Sequence, residues 1–381
     1  MKMRYCKRCL QPDTRPNICF DENQVCFACL YEESKAKIDW DERFNELKAI
    51  ADEAKEESKK RGNVYNCVIG VSGGKDSTFQ AVYAREKLGL NPLLVNSMPD
   101  KITDLGRENM DNLCNLGFDV ISLRPNPVVA QKLARKSFLE RGNIIAASEY
   151  CLWASAYIIA DKFNIPLVIQ GENAALTLGV AKVQETTGNA FSVVSLDTLR
   201  GGSASAFLDE ENNITAKDLY MYQIPDVKSM EEKGIKAVFL QYYAKEWSQP
   251  YNADFAIARG LKLRDGDLHD LGRYRRCTAL DSDMQIVNQM IKYYKFGFGY
   301  ATDEVCYDIR DGRFTREEGK WYVNEYDGLC GQQFIDKACD YLGITCEEFW
   351  NVVDSYVNKD LFEKKDGKWV PKFTVGEDFE S

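Results

Sequence analysis

The sequence predicts an α/β protein: a doubly wound parallel sheet, preceded by a cysteine-rich module and followed by a helical region. Three observations support this. A buried strand runs into a glycine turn and a helix at residues 66–78, strand and helix patterns alternate up to residue 173, and two CxxC pairs lie within the first 30 residues. Alternation of strands and helices is typical of a parallel sheet with helices on both faces.

The stretch from residue 66 to residue 78 organises this prediction. Cys67 to Val71 is a short apolar run, as in a strand that is covered on both faces. Gly73 and Gly74 allow a sharp bend and a close approach to a ligand. The helix that follows presents free N–H groups and the positive end of its dipole, so we expect an anion site there, with phosphate the usual anion.

Two familiar phosphate-binding loops do not fit this stretch. The GxxxxGK[ST] loop needs a glycine where Ile69 stands, and Asp76 follows Lys75. The GxGxxG dinucleotide turn is also absent. Instead, the run Ser-Gly-Gly-Lys-Asp-Ser at residues 72–77 resembles the loop of the PP-loop ATP pyrophosphatases, which have the adenine nucleotide alpha hydrolase-like fold. The resemblance implies that ATP is cut between its α- and β-phosphates, leaving an adenylated substrate and pyrophosphate.

Composition narrows the functional classes. The net charge is −10, whereas nucleic-acid binders usually carry basic patches, so we expect no nucleic-acid partner. No apolar run is long enough to span a bilayer and the N-terminus is polar rather than signal-like, which favours a cytoplasmic protein without a membrane partner. The single histidine, His269, excludes a His-rich catalytic metal centre.

The N-terminal cysteines predict a structural metal site. Thirteen cysteines without a signal peptide favour thiols and a metal over a disulfide framework. Two CxxC pairs, sixteen residues apart, offer four thiolates, the ligand set of closed tetrahedral Zn²⁺. A catalytic dithiol is the alternative, but it normally comes as one pair. We expect Cys19 to be a non-ligand, and the predicted zinc ligands are Cys6, Cys9, Cys26 and Cys29.

Domain boundaries follow from these patterns. We predict a zinc module at 1–35, a linker helix at 36–62, a PP-loop ATP-binding domain at 63–275 and a helical C-terminal domain at 276–381. The predicted tail is an amphipathic helix over 334–361 with a frayed end after residue 365. Thr315 to Glu318 has the pattern of a capping box.

Ligands of parallel sheets lie beyond the carboxyl ends of strands, where the strand order reverses. Two segments besides the glycine turn follow predicted strands. We expect Asn96, Ser97 and Met98 to read the adenine edge, mostly through the backbone, and Gly171, Glu172 and Asn173 to face the reacting phosphate or the substrate. A plain strand-end turn is the alternative for 171–173. The basic cluster at 273–276 suits a phosphate or carboxylate ligand, or is a solvated loop.

A family resemblance extends from the first CxxC to about residue 355. It rests on the run around the two CxxC pairs, on the loop at 72–77, on Gly171-Glu172-Asn173, and on two C-terminal runs at 295–303 and 309–317. These resemble the N-acetyl sugar amidotransferases of the WbpG/PseA type, from lipopolysaccharide and flagellin sugar pathways. Tyr300 departs from the pattern, because many relatives are expected to have a basic residue there; this bears on substrate preference.

The resemblance implies a two-step reaction on an N-acetylated nucleotide sugar. AMP is transferred to the acetamido oxygen, and ammonia then displaces AMP to leave an acetamidino group. The work of the protein is positioning and charge neutralisation. The implied catalytic residues are Lys75, Asp76, Asn173 and Lys295. The turn would hold ATP and Mg²⁺, with Asp76 organising the metal and Lys75 binding the pyrophosphate. Lys295 and Arg310 would contact phosphate or the sugar nucleotide. The implied ATP contacts in the turn are Ser72, Gly73, Gly74, Lys75, Asp76 and Ser77.

Nothing in the sequence resembles a glutaminase, so the resemblance implies that a separate glutaminase and a barrel-type, cyclase-like subunit supply ammonia, unless free ammonia is used. The main alternative is a PP-loop tRNA thiolase of the 2-thiouridine or 2-thiocytidine type, with Cys151 or Cys277 as sulfur carrier. The acidic charge disfavours it. A zinc-stabilised nucleotide sensor without catalysis is a third hypothesis.

Overall fold

A computed structural model describes residues 2–180, 187–195 and 203–380. Its central feature is a five-stranded parallel sheet with the order β4-β3-β2-β5-β6; a hairpin (β7, β8) and a terminal pair (β1, β9) lie apart from it. The strands in chain order are β1 (Lys2–Met3), β2 (Cys67–Val71), β3 (Pro92–Ser97), β4 (Asp119–Leu123), β5 (Leu167–Gln170), β6 (Lys236–Phe239), β7 (Phe362–Lys365), β8 (Lys368–Pro371) and β9 (Phe379–Glu380).

Helices surround this sheet and build the C-terminal region. In chain order they are α1 (Phe27–Ser34), α2 (Trp40–Lys60), α3 (Lys75–Glu86), α4 (Asp104–Asn115), α5 (Pro127–Arg141), α6 (Ala146–Phe163), α7 (Ala174–Leu178), α8 (Val227–Glu232), α9 (Leu240–Tyr243), α10 (Gln249–Ile257), α11 (Leu268–Leu271), α12 (Met284–Phe296), α13 (Tyr300–Arg310), α14 (Arg316–Tyr326), α15 (Gln332–Leu342) and α16 (Cys346–Tyr356). Within the described ranges, none of them combines the length and apolarity that crossing a membrane requires.

The predicted parallel sheet is confirmed, and its strand order places the ligand crevice. β3 and β4 continue the sheet on one side of β2, and β5 and β6 on the other. The order therefore reverses between β2 and β5, and their carboxyl ends open a crevice. The glycine turn follows β2 at Val71, and the segment 171–173 follows β5 at Gln170.

Helices cover both faces of the sheet. Val68 and Val168 contribute to one apolar cluster, which includes buried residues of α5 and α6. Ile69 and Ile169, the next residues along the same strands, contribute to the opposite cluster with α2 and α3. Alternate side chains point to opposite faces of a strand, and here both faces are apolar, so the strands read as continuous apolar runs.

The predicted linker helix is present, and it packs on the sheet. Asp39 caps α2, its side chain accepting a hydrogen bond from the backbone N–H of Glu42 at 2.9 Å. Leu47, Ala51 and Ala54 are buried at helical spacing and belong to the cluster on one sheet face. The helix is thus part of the α/β core, because its apolar stripe covers strands that would otherwise face water.

The C-terminal tail differs from its prediction. The helix expected over 334–361 is two helices, because α15 ends at Leu342, Gly343 adopts a left-handed φ of +65°, and Thr345 caps α16. The expectation of a frayed end is also wrong: β7 and β8 form a hairpin and β9 pairs with β1. The backbone N–H of Tyr5 donates to Asp378 at 3.0 Å, which ties the two termini together.

The predicted capping box at the start of α14 is confirmed and gives a stability test. Thr315 accepts from the Glu318 N–H at 3.2 Å, and Glu318 accepts from the Thr315 N–H at 2.7 Å. We expect Thr315→Ala to lower the free energy of unfolding by about 1 kcal/mol, because a helix N–H loses its partner. Thermal unfolding should show a Tm lower by about 2 °C, whereas Thr315→Ser should stay near wild type. Equal melting of the alanine and wild-type chains would contradict the role of this cap.

Candidate active site

The turn between β2 and α3 has a backbone that requires glycine. Gly73 adopts a φ of +75°, and a Cβ there would lie 3.1 Å from the backbone of Asn109 on α4. Gly74 is the N-cap of α3, in an extended conformation. Both positive φ and close backbone approach exclude a larger side chain at Gly73 without strain. The first N–H groups of α3 are therefore available at the end of β2, as an anion site needs.

Lys75, which is buried, and Asp76, which is half-buried, form an ion pair at the start of α3. The Lys75 ammonium lies 2.6 Å from one Asp76 oxygen, and the Asn252 side-chain amide donates to the other at 2.8 Å. Burial alone would lower the pKa of Lys75, but Asp76, Tyr300 and Cys277 together outweigh burial and the pKa is raised. Lys75 is thus a fixed positive charge at the helix start. Ser77 donates to the Gly74 carbonyl at 3.1 Å, so its predicted role as a phosphate donor stays a prediction.

Glu172, at the end of β5, lies within electrostatic reach of the start of α3. Burial and, to a smaller extent, Asp76 raise the pKa of Glu172, Lys75 opposes them, and the net pKa is about 7. The Gln249 side chain lies 3.5 Å from one Glu172 oxygen. A raised pKa suits a carboxyl group that gains and loses a proton near neutral pH.

Asn173 is buried and hydrogen-bonded within the protein. Its side chain is 1% exposed, and its oxygen caps α7 by accepting from the Ala175 N–H at 3.0 Å. Its backbone N–H donates to Gln241 at 2.7 Å. Its amide nitrogen has no partner within the described ranges. The strand-end turn thus accounts for the Asn173 oxygen, and a catalytic role for this residue stays a prediction.

A cavity of about 450 Å³ is lined by Glu172 and Tyr300, which both lie within electrostatic reach of Lys75 at the start of α3. Aromatic rings and charged side chains line it. Tyr300, Asp303 and Tyr307 recur along one face of α13, and Lys292 and Lys295 lie on α12. The charged residues of its wall are Arg15, Glu149, Glu172, Lys292, Lys295 and Asp303.

A second cavity of about 120 Å³ lies at the end of β3. Ser97 and Met98 line it, in agreement with the strand-end placement expected for an adenine site. The side chain of Asn96 does not, because it is buried and donates to the Val71 carbonyl at 2.9 Å, tying β3 to β2. Ile145 and Glu149 line both cavities, so the two spaces meet at the start of α6.

Of the two other residues predicted to contact phosphate or sugar nucleotide, Lys295 lines the larger cavity and Arg310 does not. Lys295 lines the larger cavity, its ammonium donates to the Arg141 carbonyl at 2.6 Å, and burial lowers its pKa. Arg310 lines neither of the two cavities and donates to the Thr177 carbonyl at 3.0 Å. Its predicted contact with phosphate or sugar nucleotide stays a prediction, which this position does not favour.

Two arginines of the basic cluster at 273–276 make contacts within the protein. Arg273 is 1% exposed and donates to the Thr278 hydroxyl at 3.0 Å, so the solvated-loop alternative is wrong for this residue. Arg275 pairs with Asp308 on α13. Arg273 also lies 4.4 Å from the centre of the Tyr300 ring, a cation–π contact that supports the cavity wall from behind.

The four predicted zinc ligands converge. The sulfurs of Cys6, Cys9, Cys26 and Cys29 all lie within 4.8 Å of one another and are buried. Two sulfur pairs are separated by 3.9 Å and 3.7 Å. A tetrahedron with Zn–S bonds of about 2.3 Å has edges of about 3.8 Å, so these thiols can hold one zinc ion. Cys19 is exposed and lies outside the group, as expected.

The loop between the two CxxC pairs contributes to the larger cavity, which sequence reasoning missed. Arg15 pairs with Asp303, and Gln11 donates to the same carboxylate at 2.9 Å. Lys292 binds the other Asp303 oxygen at 2.8 Å. Thr14 donates to the Phe296 carbonyl at 2.5 Å. The segment between the CxxC pairs is therefore one wall of the cavity. Arg15 belongs to the N-terminal run that carries the family resemblance, but that resemblance assigned it no role.

Glu149 and Lys292 are further cavity residues that were not predicted. The signal for Glu149 was available, since it is the only acidic residue before Asp161 in the apolar run of α6. Lys292 precedes Lys295 by three residues, and this spacing puts both on one side of α12.

Comparison with known proteins bears on the C-terminal part of this site. Residues 271–374 match the family described as "LPS biosynthesis protein WbpG-like, C-terminal domain". This part of the chain is thus similar to a WbpG-like C-terminal domain, from a family named for lipopolysaccharide biosynthesis. The matched segment contains α12 and α13, which supply the larger cavity with Lys292, Lys295, Tyr300, Asp303 and Tyr307.

A curated relative also matches only part of the chain. An uncharacterized protein from Methanocaldococcus jannaschii is 30% identical over 112 residues, which is 29% of this chain. The chain spans 38% of the length of that relative.

The zinc site can be tested by removing the metal. We expect chelation to lower Tm, because four buried thiols lose the ion that holds the module on α13. Metal analysis and thermal unfolding of Cys9→Ser and Cys19→Ser variants provide a matched pair. Cys9→Ser should lose zinc and melt earlier, and Cys19→Ser should keep both properties. An unchanged melt after complete metal loss would contradict a structural role.

Proposed function

We propose that the chain is an ATP-dependent amidotransferase that converts the acetamido group of an N-acetylated nucleotide sugar into an acetamidino group. The observation that carries the proposal is the larger cavity: α12 and α13, which lie in the segment that matches the WbpG-like family, line it, and Glu172 and Tyr300 of its wall lie within electrostatic reach of Lys75. The resemblance of residues 72–77 to a PP-loop and the match to a lipopolysaccharide-biosynthesis family thus support the same site. This fits activation of a sugar amide by ATP for lipopolysaccharide or flagellin glycan synthesis.

ATP is proposed to lie across both cavities, with adenine at Ser97 and Met98 and the phosphates at the turn. The helix start offers N–H groups, and Lys75 is a buried cation held in place by Asp76. A Mg²⁺ ion on the phosphates, organised by Asp76, would neutralise charge. The chain itself binds the pyrophosphate that departs and orients the α-phosphate toward the sugar.

The larger cavity is proposed to hold the sugar nucleotide. Trp153, Phe298 and Tyr307 offer aromatic faces, and Arg15 and Lys295 offer positive charge, in an otherwise acidic protein. The acetamido oxygen attacks the α-phosphorus, the bond to pyrophosphate breaks, and an O-adenylyl imidate forms. Ammonia then replaces AMP. Aromatic planes and cations are suited to a sugar ring that carries phosphate.

The proposed source of ammonia is a separate glutaminase with a cyclase-like barrel subunit. The described thiols near the site are unsuited to glutaminase chemistry, since burial raises the pKa of Cys151 to about 11 and also raises the pKa of Cys277. The same property disfavours a tRNA thiolase, which needs a nucleophilic thiolate.

Lys75 can be tested by substitution. Lys75→Ala should abolish substrate-dependent pyrophosphate release, because the phosphates lose their buried cation. Zinc content and far-UV circular dichroism should match wild type. Lys87→Ala, on the exposed end of the same helix, is the control and should retain activity. Undiminished pyrophosphate release by Lys75→Ala would exclude the proposed role of the turn.

The reaction can be tested by mass spectrometry. N-acetylated sugar nucleotides are incubated with the full chain, ATP, Mg²⁺ and ammonium. We expect the mass shift of an oxygen replaced by NH, together with AMP rather than ADP. Production of ADP would rule out transfer of AMP.

The thiolase alternative makes a different prediction for two cysteines. Cys151→Ala and Cys277→Ala should each still form amidine, because no proposed step uses a thiol. Loss of turnover in either variant with a normal melting curve, together with salt-dependent tRNA binding, would favour the thiolase.

A further inference from the structure

Glu149 occupies the place where the two cavities meet. It lies in the first turn of α6, and its side chain lines both spaces together with Ile145. The side chain is half-buried. Among the described residues, its carboxylate has no hydrogen-bond or ion-pair partner, in contrast to Asp303 in the same wall. No contact among the described residues therefore gives this carboxylate a purely structural role.

Charged and titratable groups line both cavities together with Glu149, and among the described residues none pairs with it. Those of the larger cavity are Arg15, Glu172, Lys292, Lys295, Tyr300, Asp303 and Tyr307. Those of the smaller cavity are Asp100, Lys101, Cys151, Tyr222, Asp281 and Tyr341. Burial raises the pKa of Glu149 to about 7, so both protonation states are populated at neutral pH. This is the range in which a general base works best.

The junction is also where the proposed reaction needs a proton acceptor. With adenosine in the smaller cavity and the sugar in the larger one, the α-phosphate and the acetamido carbon meet between them. Resting on this proposed function, we propose that Glu149 accepts the proton that the attacking nitrogen loses when ammonia replaces AMP.

The step balances with one proton transferred. The imidate nitrogen keeps the proton of the original amide. The nitrogen of ammonia forms a bond to the imidate carbon and becomes positively charged, while the electron pair of the C=N double bond moves to the imidate nitrogen. Glu149 takes one proton from this nitrogen. The bond from carbon to the AMP oxygen then breaks, its electron pair goes to AMP, and a protonated amidine remains. Glu149 returns its proton to water after the products leave.

Glu172 is the other carboxylate with a raised pKa, but it is placed differently. It lies within electrostatic reach of Lys75 and Asp76 and lines only the larger of the two cavities. Its charge therefore acts on the phosphate side. We expect Glu172→Gln to affect adenylation, whereas a base for ammonia acts only after adenylation.

The test separates the two half-reactions in the full chain. Sugar-dependent exchange of labelled pyrophosphate into ATP, without ammonia, reports adenylation. Amidine formation with ammonium reports the second step. Glu149→Gln should retain exchange and slow amidine formation by about 100-fold or more, the usual contribution of a general base. Glu149→Asp should recover part of the rate, and Glu231→Gln, an exposed glutamate on α8, is the matched control.

Two further readouts distinguish a base from a packing residue. At a fixed concentration of unprotonated ammonia, the wild-type rate should fall below about pH 7, as the carboxylate gains a proton, and Glu149→Gln should lack this decrease. Hydroxylamine, a weakly basic nucleophile, sheds its proton to water readily and should restore turnover to Glu149→Gln.

The measurements distinguish a failure of the Glu149 assignment from a failure of the proposed function. An unchanged amidine rate and pH profile in Glu149→Gln would overturn the assignment, and so would equal loss of exchange and amidine formation in a folded variant. A failure of the function itself is recognised separately, since the wild-type chain would then show neither exchange nor amidine and both proposals would fall.

Discussion

The buried carboxylate of Asp303 is the interaction on which the rest of the site depends. It receives Arg15 and Gln11 from the zinc module and Lys292 from α12, while its own helix is α13. Burial would raise its pKa, but the two cations outweigh this and the pKa is lowered, so the carboxylate stays charged. Removing one partner from a buried ion pair typically costs about 3–5 kcal/mol, because a charge is left uncompensated. The Asp303 carboxylate thus joins the N-terminal module, α12 and α13.

This arrangement gives the zinc module a part in the cavity as well as in stability. The four thiols set the conformation of the chain between the two CxxC pairs, and that chain carries Arg15 into the cavity wall. The terminal strand β9 pairs with β1 and reinforces the same module. A metal ion held by these four thiols would therefore influence how the cavity is shaped.

The charged residues at the proposed site are of two kinds: charges fixed by an ion pair, and carboxylates that titrate near neutral pH. Lys75 is a cation locked by Asp76, and Asp303 is an anion locked by its partners. Glu149 and Glu172 are carboxylates whose pKa is raised by burial to about 7. Fixed charges suit the binding of phosphates, and groups that titrate near neutrality suit proton transfer. The proposed adenylation and amidine formation draw on both kinds within one space.

Local sequence determined the elements whose signals are short-range. Strand β2, the glycine turn, the cap at Thr315 and the spacing of the four cysteines each follow from a few neighbouring residues, and the structure agrees with all four. The sheet class was also readable, because strands covered on both faces are apolar at every position.

Only the tertiary structure decided which of the polar residues share the cavity. It brought Arg15, Glu149 and Lys292 to the cavity from three distant segments, turned the Asn96 side chain into the sheet and buried Arg273 as a support. It also paired the last strand with the first, whereas the break of the tail helix at Gly343 has local causes, a left-handed glycine and the cap at Thr345. The physical reason is that contacts between remote segments, such as those of Asp303, leave no periodic pattern in the chain, whereas turns, caps and metal knuckles are formed by residues close in sequence.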